Sequence, residues 1–463
     1  MKLLLINTNT IKPLIAPIGL EYVGEYIEVN SNGVEVSILD LSFDNRLQET
    51  IKQVKPDFIG VTVRNTDDCS YPTAKLFLPE IKGLLDQIKE TSDAPVILGG
   101  AGFSVMPEAV LNFLDMDYGI HGDGEDALLQ FIEHYPDIRS IPNLVYRENN
   151  EYKKTRMEFF DLKKLDPERK MFDNEMYFKQ GGMGSFETKR GCPNECIYCV
   201  DPLSKGSTLR LRDDTGVVAE IERLFKQGID HFHICDSEFN IPYHHAENIC
   251  KTIIRKGFHK KIRWYCYCSA EGFDFSLAKL MKEAGCAGIN FGVDSGSDAI
   301  LSTLKRGYSS NDLIRLGKDL KKAGLIFMFD LLLGGPNETE DTIRETIKLM
   351  EEVKPDVVGT AIGVRVYKGT VLERMIRNED VGNKALYGEI KDNENLVKPV
   401  FYISPKIGKR IIPLVEDLTR NNKRFLFSYG KDKKDYNYNE NDILTQAIKK
   451  GARGAFWDIL RGL

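Results

Sequence analysis

Short apolar, β-branched runs alternate with helical segments along most of this 463-residue chain. In the N-terminal part these runs are LLLIN at 3–7, VEVSILDL at 34–41, FIGVTVR at 58–64 and APVILGG at 94–100. Helical patterns lie between them, as at 18–29. Alternation of this kind predicts a parallel β-sheet that is covered by helices on both faces. We therefore expect an α/β fold, with a doubly wound, Rossmann-like domain over residues 1–145.

The second part of the chain alternates in the same way, after a polar, charge-rich linker at 146–182. Strands are predicted at 185–190, 231–236, 262–268, 288–294, 325–333 and 357–367. Six consecutive strand–helix units predict an open, partial TIM-type (β/α)6 barrel over 183–400, because eight units are needed to close the barrel. The remaining residues, 401–463, form a small C-terminal extension. Ligands of both domains are expected at the carboxyl ends of the strands.

Composition limits the class of protein and its partners. Hydrophobic residues make up 42% of the chain and charged residues 29%, which is typical of a folded globular protein. The net charge of -6 gives no long-range attraction for nucleic acid, so no nucleic-acid partner is expected. No apolar run has the length of a membrane span, and the N-terminus lacks the pattern of a secretory signal. These features predict a cytoplasmic protein whose nine cysteines are mostly reduced thiols.

Three of the cysteines are clustered directly after the first barrel strand. Cys192, Cys196 and Cys199 share the segment KRGCPNECIYCVDP. Thiolates at this spacing on one loop can converge on a single soft metal centre. Structural zinc takes four protein ligands, so three cysteines favour a [4Fe–4S] cluster with one iron left free for a small chelating molecule. A zinc site completed by a distant residue, and cysteines that only pack in the core, are the alternatives.

This loop, with Tyr198 just before its last cysteine, resembles the signature of the radical S-adenosylmethionine (SAM) superfamily. The resemblance implies that the three cysteines hold a [4Fe–4S] cluster whose free iron chelates SAM. It also implies that one electron cleaves SAM reductively into methionine and a 5′-deoxyadenosyl radical. ICDSEFN at 234–240, FGVDSGSDAIL at 291–301, FDLLLGGPNET at 329–339 and GVRVYKGT at 363–370 resemble later strand ends of the same superfamily.

The resemblance implies a set of SAM-binding residues, and no general acid or base can be read from the sequence. The set is Tyr198, Asp236, Ser237, Glu238, Asp294, Ser295, Gly334 and Pro336. Two positions depart from the usual pattern. The common form of the second-strand turn is Gly-Gly-Glu where this chain has Asp236-Ser237-Glu238, and many relatives carry Glu at the position of Asp294.

The N-terminal part resembles the cobalamin-binding domain that precedes the radical domain in one branch of the superfamily. The matching segments are PIGLEYVGEYIE (17–28), VSILDL (36–41), KPDFIGVTVRN (55–65), PVILGGAGFSVMPEAVL (95–111) and DYGIHGDGEDAL (117–128). The resemblance implies cobalamin contacts from Asn7, Thr8, Arg64, Asn65, Thr66, Gly99, Gly100, Gly102, Gly122, Gly124 and Glu125. The loop after the first strand, NTNTIKP, contains no histidine, so we expect cobalamin without a histidine ligand and with Arg64–Thr66 facing its lower side. A flavodoxin-like domain that binds another nucleotide or no ligand is the alternative.

Together, the two resemblances imply a class B radical SAM methyltransferase-like enzyme that methylates an unactivated carbon or phosphorus. They also imply a small-molecule or peptide substrate and a single-electron donor such as flavodoxin or ferredoxin. Two alternatives remain: a cobalamin-dependent radical enzyme that rearranges, oxidises or cyclises its substrate, and a non-enzymatic cobalamin or iron–sulfur sensor. Methylthiolation requires a second three-cysteine set in the N-terminal half, where only Cys69 lies.

Two further expectations concern the substrate cavity. In the third barrel strand, Trp264, Tyr265 and Tyr267 are expected to wall this cavity, and Cys266 and Cys268 to lie in the core. The C-terminal extension from about Ser404 is where we expect substrate contacts, and its amphipathic end is expected to pack against the rest of the molecule.

Overall fold

The computed structural model describes residues 1–378, 384–430 and 435–463. It confirms the predicted α/β class, with two large sheets in sequence order. The N-terminal strands are β1 (Lys2–Asn7), β2 (Glu35–Asp40), β3 (Phe58–Thr62), β4 (Val96–Gly99), β5 (Tyr118–Ile120), β6 (Leu144–Glu148) and β7 (Glu151–Lys154). The N-terminal helices are α1 (Ile18–Asn30), α2 (Leu47–Val54), α3 (Leu78–Thr91), α4 (Ala101–Val105), α5 (Pro107–Leu114) and α6 (Glu125–His134).

The N-terminal sheet has the order β2-β1-β3-β4-β5-β6-β7, and its first five strands are parallel. Leu3, Leu4, Leu5 and Ile6 of β1 are fully buried because helices cover both faces of the sheet. The hairpin β6–β7 adds two antiparallel strands at one edge and reaches into the predicted linker. Its turn residues Asn149 and Asn150 both have positive φ, a conformation that asparagine tolerates better than most residues.

The second sheet has seven parallel strands. A short helix, α7 (Asn174–Gly181), precedes it. The strands from here on are β8 (Gly184–Phe186), β9 (Lys189–Arg190), β10 (Arg210–Leu211), β11 (His231–Ile234), β12 (Arg263–Cys268), β13 (Cys286–Asp294), β14 (Ile326–Leu333), β15 (Val357–Ile362), β16 (Val364–Arg365), β17 (Leu386–Gly388), β18 (Val400–Tyr402) and β19 (Phe425–Phe427). The sheet order is β19-β15-β14-β13-β12-β11-β8, which confirms the six predicted barrel strands and adds β19 from the C-terminal extension.

Helices cover the outside of this open barrel, and the C-terminal extension closes its base. The helices are α8 (Asp201–Lys205), α9 (Asp214–Lys226), α10 (Tyr243–Arg255), α11 (Phe275–Glu283), α12 (Asp298–Thr303), α13 (Ser310–Ala323), α14 (Glu340–Val353), α15 (Val371–Asn378), α16 (Ile411–Thr419), α17 (Asp442–Lys449) and α18 (Phe456–Arg461). Apolar residues of α17 and α18 pack with Tyr265 and Met328, which belong to β12 and β14. The expectation that the amphipathic C-terminus packs against the molecule is therefore confirmed. Within the described residues, no helix is long and apolar enough to cross a membrane.

The two faces of β12 have different environments. Trp264, Cys266 and Cys268 belong to the hydrophobic layer between the sheet and its helices. Tyr267 lies on the opposite, inward face, and its side chain is 40% exposed because it borders an internal cavity. The prediction that Trp264 walls the cavity is therefore wrong. Side chains alternate along a strand, so Trp264 shares the outward face with the two buried cysteines.

Buried ion pairs fix the two domains to each other. Arg169, in the segment that connects the domains, is fully buried between Glu21 of α1 and Glu220 of α9, each at 2.7 Å. Arg190 of β9 forms a second contact with Asp123 and Glu125, which follow β5. These contacts hold the carboxyl ends of both sheets against one another.

Candidate active site

The three clustered cysteines lie on the loop between β9 and α8. Gly191 enters this loop with φ +91°, and a Cβ there would lie 2.2 Å from the carbonyl oxygen of Thr208. The backbone N–H of Cys192 donates to Gly206 O at 3.1 Å, and that of Cys199 donates to Cys196 O at 3.1 Å. All three thiols border one cavity of about 190 Å³. The structure therefore brings together the three residues that the sequence pattern selects.

The donor set of this cavity fits an iron–sulfur cluster. Each thiolate of a cubane cluster binds a different iron, so the sulfur atoms lie further apart than they would around a single metal ion. Among the described residues, no group of three His, Cys, Asp or Glu side chains is arranged to hold one metal ion. Burial raises the pKa of Cys192 to about 11 and that of Cys199 to about 12. Cluster assembly must therefore displace protons from these thiols.

A chain of polar contacts runs from the cysteine loop to the fourth barrel strand. Arg306 donates from Nη1 to Cys196 Sγ at 2.9 Å, and its Nε lies 3.4 Å from Asp294 Oδ2. The Tyr198 hydroxyl donates to the same carboxylate oxygen at 2.7 Å. Tyr198 and Asp294, both predicted to bind SAM, are thus linked to each other and to a cluster ligand. Arg306 is absent from the sequence-based prediction, because no local motif marks it.

We predict that Arg306→Gln lowers the reduction potential of the cluster by about 65–130 mV. A charge-assisted hydrogen bond is worth about 1.5–3 kcal/mol, and hydrogen bonds to the sulfur stabilise the reduced cluster. A redox titration monitored by electron paramagnetic resonance measures the shift. Lys305→Gln is the matched control, since Lys305 is half exposed and pairs with Glu195. Equal potentials for wild type and Arg306→Gln would contradict the assigned contact.

The turn after β11 presents two of its three predicted residues to the cysteine cavity. Ser237 and Glu238 line the cavity, whereas Asp236 is buried behind it. The Asp236 carboxylate accepts hydrogen bonds from Lys189 Nζ at 2.8 Å and from the Thr188 N–H at 2.7 Å. Asp236 therefore fixes the strand end, and its side chain is not part of the cavity wall.

Glu238 and Asp201 are carboxylates that border the cavity of the three thiols. Glu238 is the one with an unpartnered oxygen. Its Oε2 is buried and has no hydrogen-bond partner among the described residues. Burial raises the pKa of Glu238 to about 7, and the nearby Arg306 opposes this rise. A buried carboxylate oxygen of this kind can accept a hydrogen bond from an ammonium group or bind iron directly. The resemblance-based assignment of Glu238 to the amino group of SAM stays a prediction.

The glycine-rich segment after β14 is held by a buried carboxylate. Glu338 Oε2 accepts from the N–H groups of Gly334 at 2.6 Å and Gly335 at 3.2 Å. Gly334 has φ +100°, which favours glycine, and Pro336 follows in the same turn. Ser295 Oγ lies 3.0 Å from Thr346 Oγ1 of α14 and is fully buried. The sequence pattern does not single out Glu338, although this residue lies within the segment GGPNET.

A second cavity, of about 400 Å³, lies in the N-terminal domain between the loop after β1 and helix α3. Its lining includes Thr8 and Asn65 from the strand ends and Phe77 and Leu84 from the helix side. Arg64 also borders this cavity, and its guanidinium forms no hydrogen bond or ion pair with any described residue. Burial lowers the pKa of Arg64, whose side chain lies close to Tyr267 of the barrel. An unpaired arginine and an adjoining deep cavity suit a flat, polar-edged cofactor with a tail, as cobalamin is.

Three other residues predicted to bind cobalamin contact protein groups in the structure. The Asn7 amide donates to Asp40 Oδ1 and to the Tyr177 hydroxyl, each at 2.9 Å. Both carboxylate oxygens of Glu125 accept from Arg190, at 2.7 and 3.0 Å. The Gly122 N–H donates to Ser104 Oγ at 2.9 Å. These contacts give the three residues a role in shaping the domain edge, and their cofactor contacts stay predictions.

The remaining predicted cobalamin contacts lie at the carboxyl ends of the strands. Thr66 is buried and donates to Asp67 Oδ2 at 3.2 Å, and Gly124 precedes helix α6. Gly99 ends β4, and Gly100 follows with φ +104°. Gly102 packs so closely on the end of β3 that its Cβ would lie 2.8 Å from Asn65 Cα. The glycines therefore bring α4 against the loop that contains Arg64.

We predict that Gly102→Ala weakens cobalamin binding about tenfold or more and leaves iron uptake unchanged. The added methyl group would lie 2.8 Å from Asn65 Cα and 2.9 Å from Arg64 O, so backbone must move. Overpacking of this kind costs about 1–3 kcal/mol. Corrin retained after gel filtration, read from its visible absorbance, measures the effect. Gly83→Ala is the control, because a Cβ at Gly83 has nothing within 4 Å. Unchanged corrin retention would contradict the placement of the loop.

The arrangement defines a class of protein: an enzyme with a cobalamin-type domain placed over a radical SAM barrel. Family models agree, since the Radical SAM superfamily model matches residues 186–350 and the B12 binding domain model matches residues 4–132. The chain belongs to the cobalamin-binding radical SAM family, whose cofactors are a [4Fe–4S] cluster, SAM and cobalamin. The family, the fold and the cofactors expected from the sequence are thereby confirmed.

Individual relatives match almost the whole chain. The tryptophan 2-C-methyltransferase of Streptomyces laurentii is 26% identical and covers 98% of this chain and 94% of that protein. The methyltransferase TsrM from Kitasatospora setae, solved with tryptophan and a SAM analogue, superposes with a TM-score of 0.92 at 29% identity, covering 100% of this chain and 97% of that one. A second TsrM structure, with cobalamin and a [4Fe–4S] cluster bound, has a TM-score of 0.87 at 27% identity over the same shares.

Proposed function

We propose that this chain is a cobalamin-dependent radical SAM methyltransferase that methylates an unactivated carbon of a small molecule. The observation that carries the proposal is the junction of the two cofactor regions. Arg64, at the mouth of the N-terminal cavity, lies close to Tyr267, which borders the cysteine cavity. A methyl carrier and SAM at these places would share one space with the acceptor. The full-length similarity to a tryptophan 2-C-methyltransferase supports methyl transfer to carbon.

The residues of the chain position and enclose the cofactors. When bound, the cluster supplies the electron that cleaves SAM, and cobalamin carries the methyl group. Cys192, Cys196 and Cys199 hold the cluster, and Arg306 orients Cys196 through its hydrogen bond. Arg64 and Asn65, which border the N-terminal cavity, would hold the corrin. Enclosure between the domains excludes water from the reacting groups and holds them in proximity.

The proposed partners follow from this chemistry. An acceptor must be small enough to enter the barrel, and tryptophan is the natural compound to test, given the relatives that bind or methylate it. A flavodoxin or ferredoxin supplies single electrons. The net charge of -6 argues against nucleic acid as a partner. We place the enzyme in the cytoplasm, where its nine free cysteines and its oxygen-labile cluster would stay reduced.

The test is an anaerobic assay with SAM that carries a deuterated methyl group. Loaded protein, a strong one-electron reductant and tryptophan are mixed, and products are identified by mass spectrometry. We expect the label in methylated acceptor, together with 5′-deoxyadenosine. Deoxyadenosine without label transfer would favour rearrangement, oxidation or cyclisation. Label transfer without deoxyadenosine would keep the methyltransferase and overturn the radical step. A loaded protein that leaves SAM intact would favour a sensor.

A further inference from the structure

The loop that contains the three cysteines is closed at its base by two facing arginines. Strands β9 and β10 flank residues 191–209 and pair antiparallel, with Arg190 directly opposite Arg210. We call this pair of strands the neck of the cysteine loop. Both arginine side chains are only 11% exposed. Like charges directly opposite each other on paired strands are destabilising, and more so when they are buried, so the neck needs carboxylates beside it.

The N-terminal domain supplies the carboxylate that lies between the two arginines. Asp123 Oδ1 is 3.0 Å from Arg190 Nη1, and Asp123 Oδ2 is 3.1 Å from Arg210 Nη2. Arg190 also pairs with Glu125 and Glu187. Among the described residues, Arg210 forms an ion pair with Asp123 only. Asp123 is therefore the acid that allows the neck to close.

Arg210 connects this contact to the helix that follows the cysteines. Its Nη1 donates to the carbonyl oxygen of Lys205, the last residue of α8, at 3.0 Å. Helix α8 begins two residues after Cys199 and lies against the N-terminal domain, since a Cβ at Gly122 would be 3.7 Å from Ser204 O. The cysteine loop is thus attached to the N-terminal domain both at its neck and through α8.

The attachment point belongs to the predicted corrin site. Asp123 stands between Gly122 and Gly124, directly after β5. The rest of its domain holds it firmly: Asp123 Oδ2 accepts from the Phe160 N–H at 3.0 Å, and Asp123 O accepts from the Asn143 amide at 3.0 Å. Binding of corrin to this segment would therefore restrain Asp123, which in turn restrains the neck of the cysteine loop.

We propose that Asp123 is a positioning residue that couples the two cofactor sites, so that the cluster and cobalamin each tighten the binding of the other. An ordered neck lowers the cost of arranging three thiols for the cluster, and linkage makes the effect reciprocal. Couplings of this kind change affinity about 5- to 150-fold. The inference goes beyond methyl transfer, because it requires only the cluster and cobalamin.

The test measures the dissociation constant of hydroxocobalamin on the full chain, with and without a reconstituted cluster, from its visible spectrum under anaerobic conditions. We expect the cluster to tighten hydroxocobalamin binding about tenfold in wild type. Asp123→Asn keeps the size of the side chain and removes its charge, so its two forms should bind with about equal affinity. A purely structural role would weaken both forms alike and leave their ratio unchanged.

The matched control is Asp115→Asn. Asp115 precedes the same strand β5 at its other end, and its side chain, 2.8 Å from Arg147, is 63% exposed. This variant should keep the wild-type ratio of the two dissociation constants. If Asp123→Asn fails to fold, the double variant Asp123→Asn/Arg210→Gln removes the unpaired charge at the neck, and its ratio is also expected to be near one.

Three outcomes would overturn the inference. These are equal affinities of the two wild-type forms, a ratio in the Asp123 variants as large as that of wild type, and no hydroxocobalamin binding by either wild-type form. Methyl transfer is read separately in the labelled-SAM assay. Cofactor coupling without methyl transfer would refute the proposed function alone, and methyl transfer without coupling would refute this inference alone.

Discussion

Replacement of Cys192, Cys196 and Cys199 by alanine is expected to remove the iron–sulfur absorbance and to lower SAM turnover at least about 10³-fold. The reason is that all three thiols border the single cavity that adjoins Glu238 and Arg306. Cluster content is measured by iron and sulfide analysis after anaerobic reconstitution, and turnover by mass spectrometry of the SAM products.

The control for this experiment is Cys250→Ala. Cys250 is fully buried on α10, in the layer between the sheet and its helices, away from the loop. Its thiol behaves as a small core group, so the variant should keep the cluster and its turnover. A triple variant that retains the cluster spectrum and SAM turnover would contradict the assignment of the three ligands.

Arg169→Met is expected to lower the free energy of unfolding by about 3–5 kcal/mol, because it leaves buried carboxylates without their counter-charge. Arg169 is 0% exposed and lies 2.7 Å from both Glu21 Oε2 and Glu220 Oε1. Its Nη1 also donates to Ser185 O at 2.8 Å. Urea titration followed by circular dichroism measures this loss of unfolding free energy. The substitution removes a contact that joins the two domains.

Arg223→Met is the matched control for Arg169→Met. Arg223 also ties the connecting segment to α9, through Asp166 at 2.5 Å, but its side chain is 24% exposed. Exposed pairs contribute about 0–1 kcal/mol. Adding Glu21→Gln to Arg169→Met should recover part of the stability, since one unpaired charge is removed. Equal losses of unfolding free energy in Arg169→Met and Arg223→Met would refute a special role for the buried ion pairs of Arg169.

Local sequence predicted both sheets because their central strands are apolar runs with clear periodicity. Among the strands that it did not predict are β6, β7 and β19. Strand β7 (EYKK) lies at an exposed edge of the sheet and is therefore polar, so it looks like a linker. Strand β19 has three residues, FLF, and depends on pairing with β15. The error at Trp264 was avoidable, because strand alternation already groups it with Cys266 and Cys268.

The candidate site also contains residues that the sequence predicted and residues that it did not. The cysteine loop is one contiguous motif, so its residues were found from spacing alone. Arg306 contacts Cys196 across 110 positions of sequence, and Tyr436 contacts Asp330 across 106. Such pairs form only when the strands and the C-terminal extension have assembled, and neither Arg306 nor Tyr436 stands in a recognisable pattern. Substrate contacts from the extension stay a prediction, and its residues could not be chosen from sequence.

The most direct test of the account is SAM consumption by protein that carries a measured cluster and corrin. Protein is purified without oxygen, reconstituted with iron, sulfide and hydroxocobalamin, and given SAM, a reductant and tryptophan. The account predicts one cluster and one corrin per chain, and SAM converted to products that mass spectrometry identifies. Fully loaded protein that leaves SAM unchanged with this acceptor would contradict the claim that this chain is a cobalamin-dependent radical SAM enzyme.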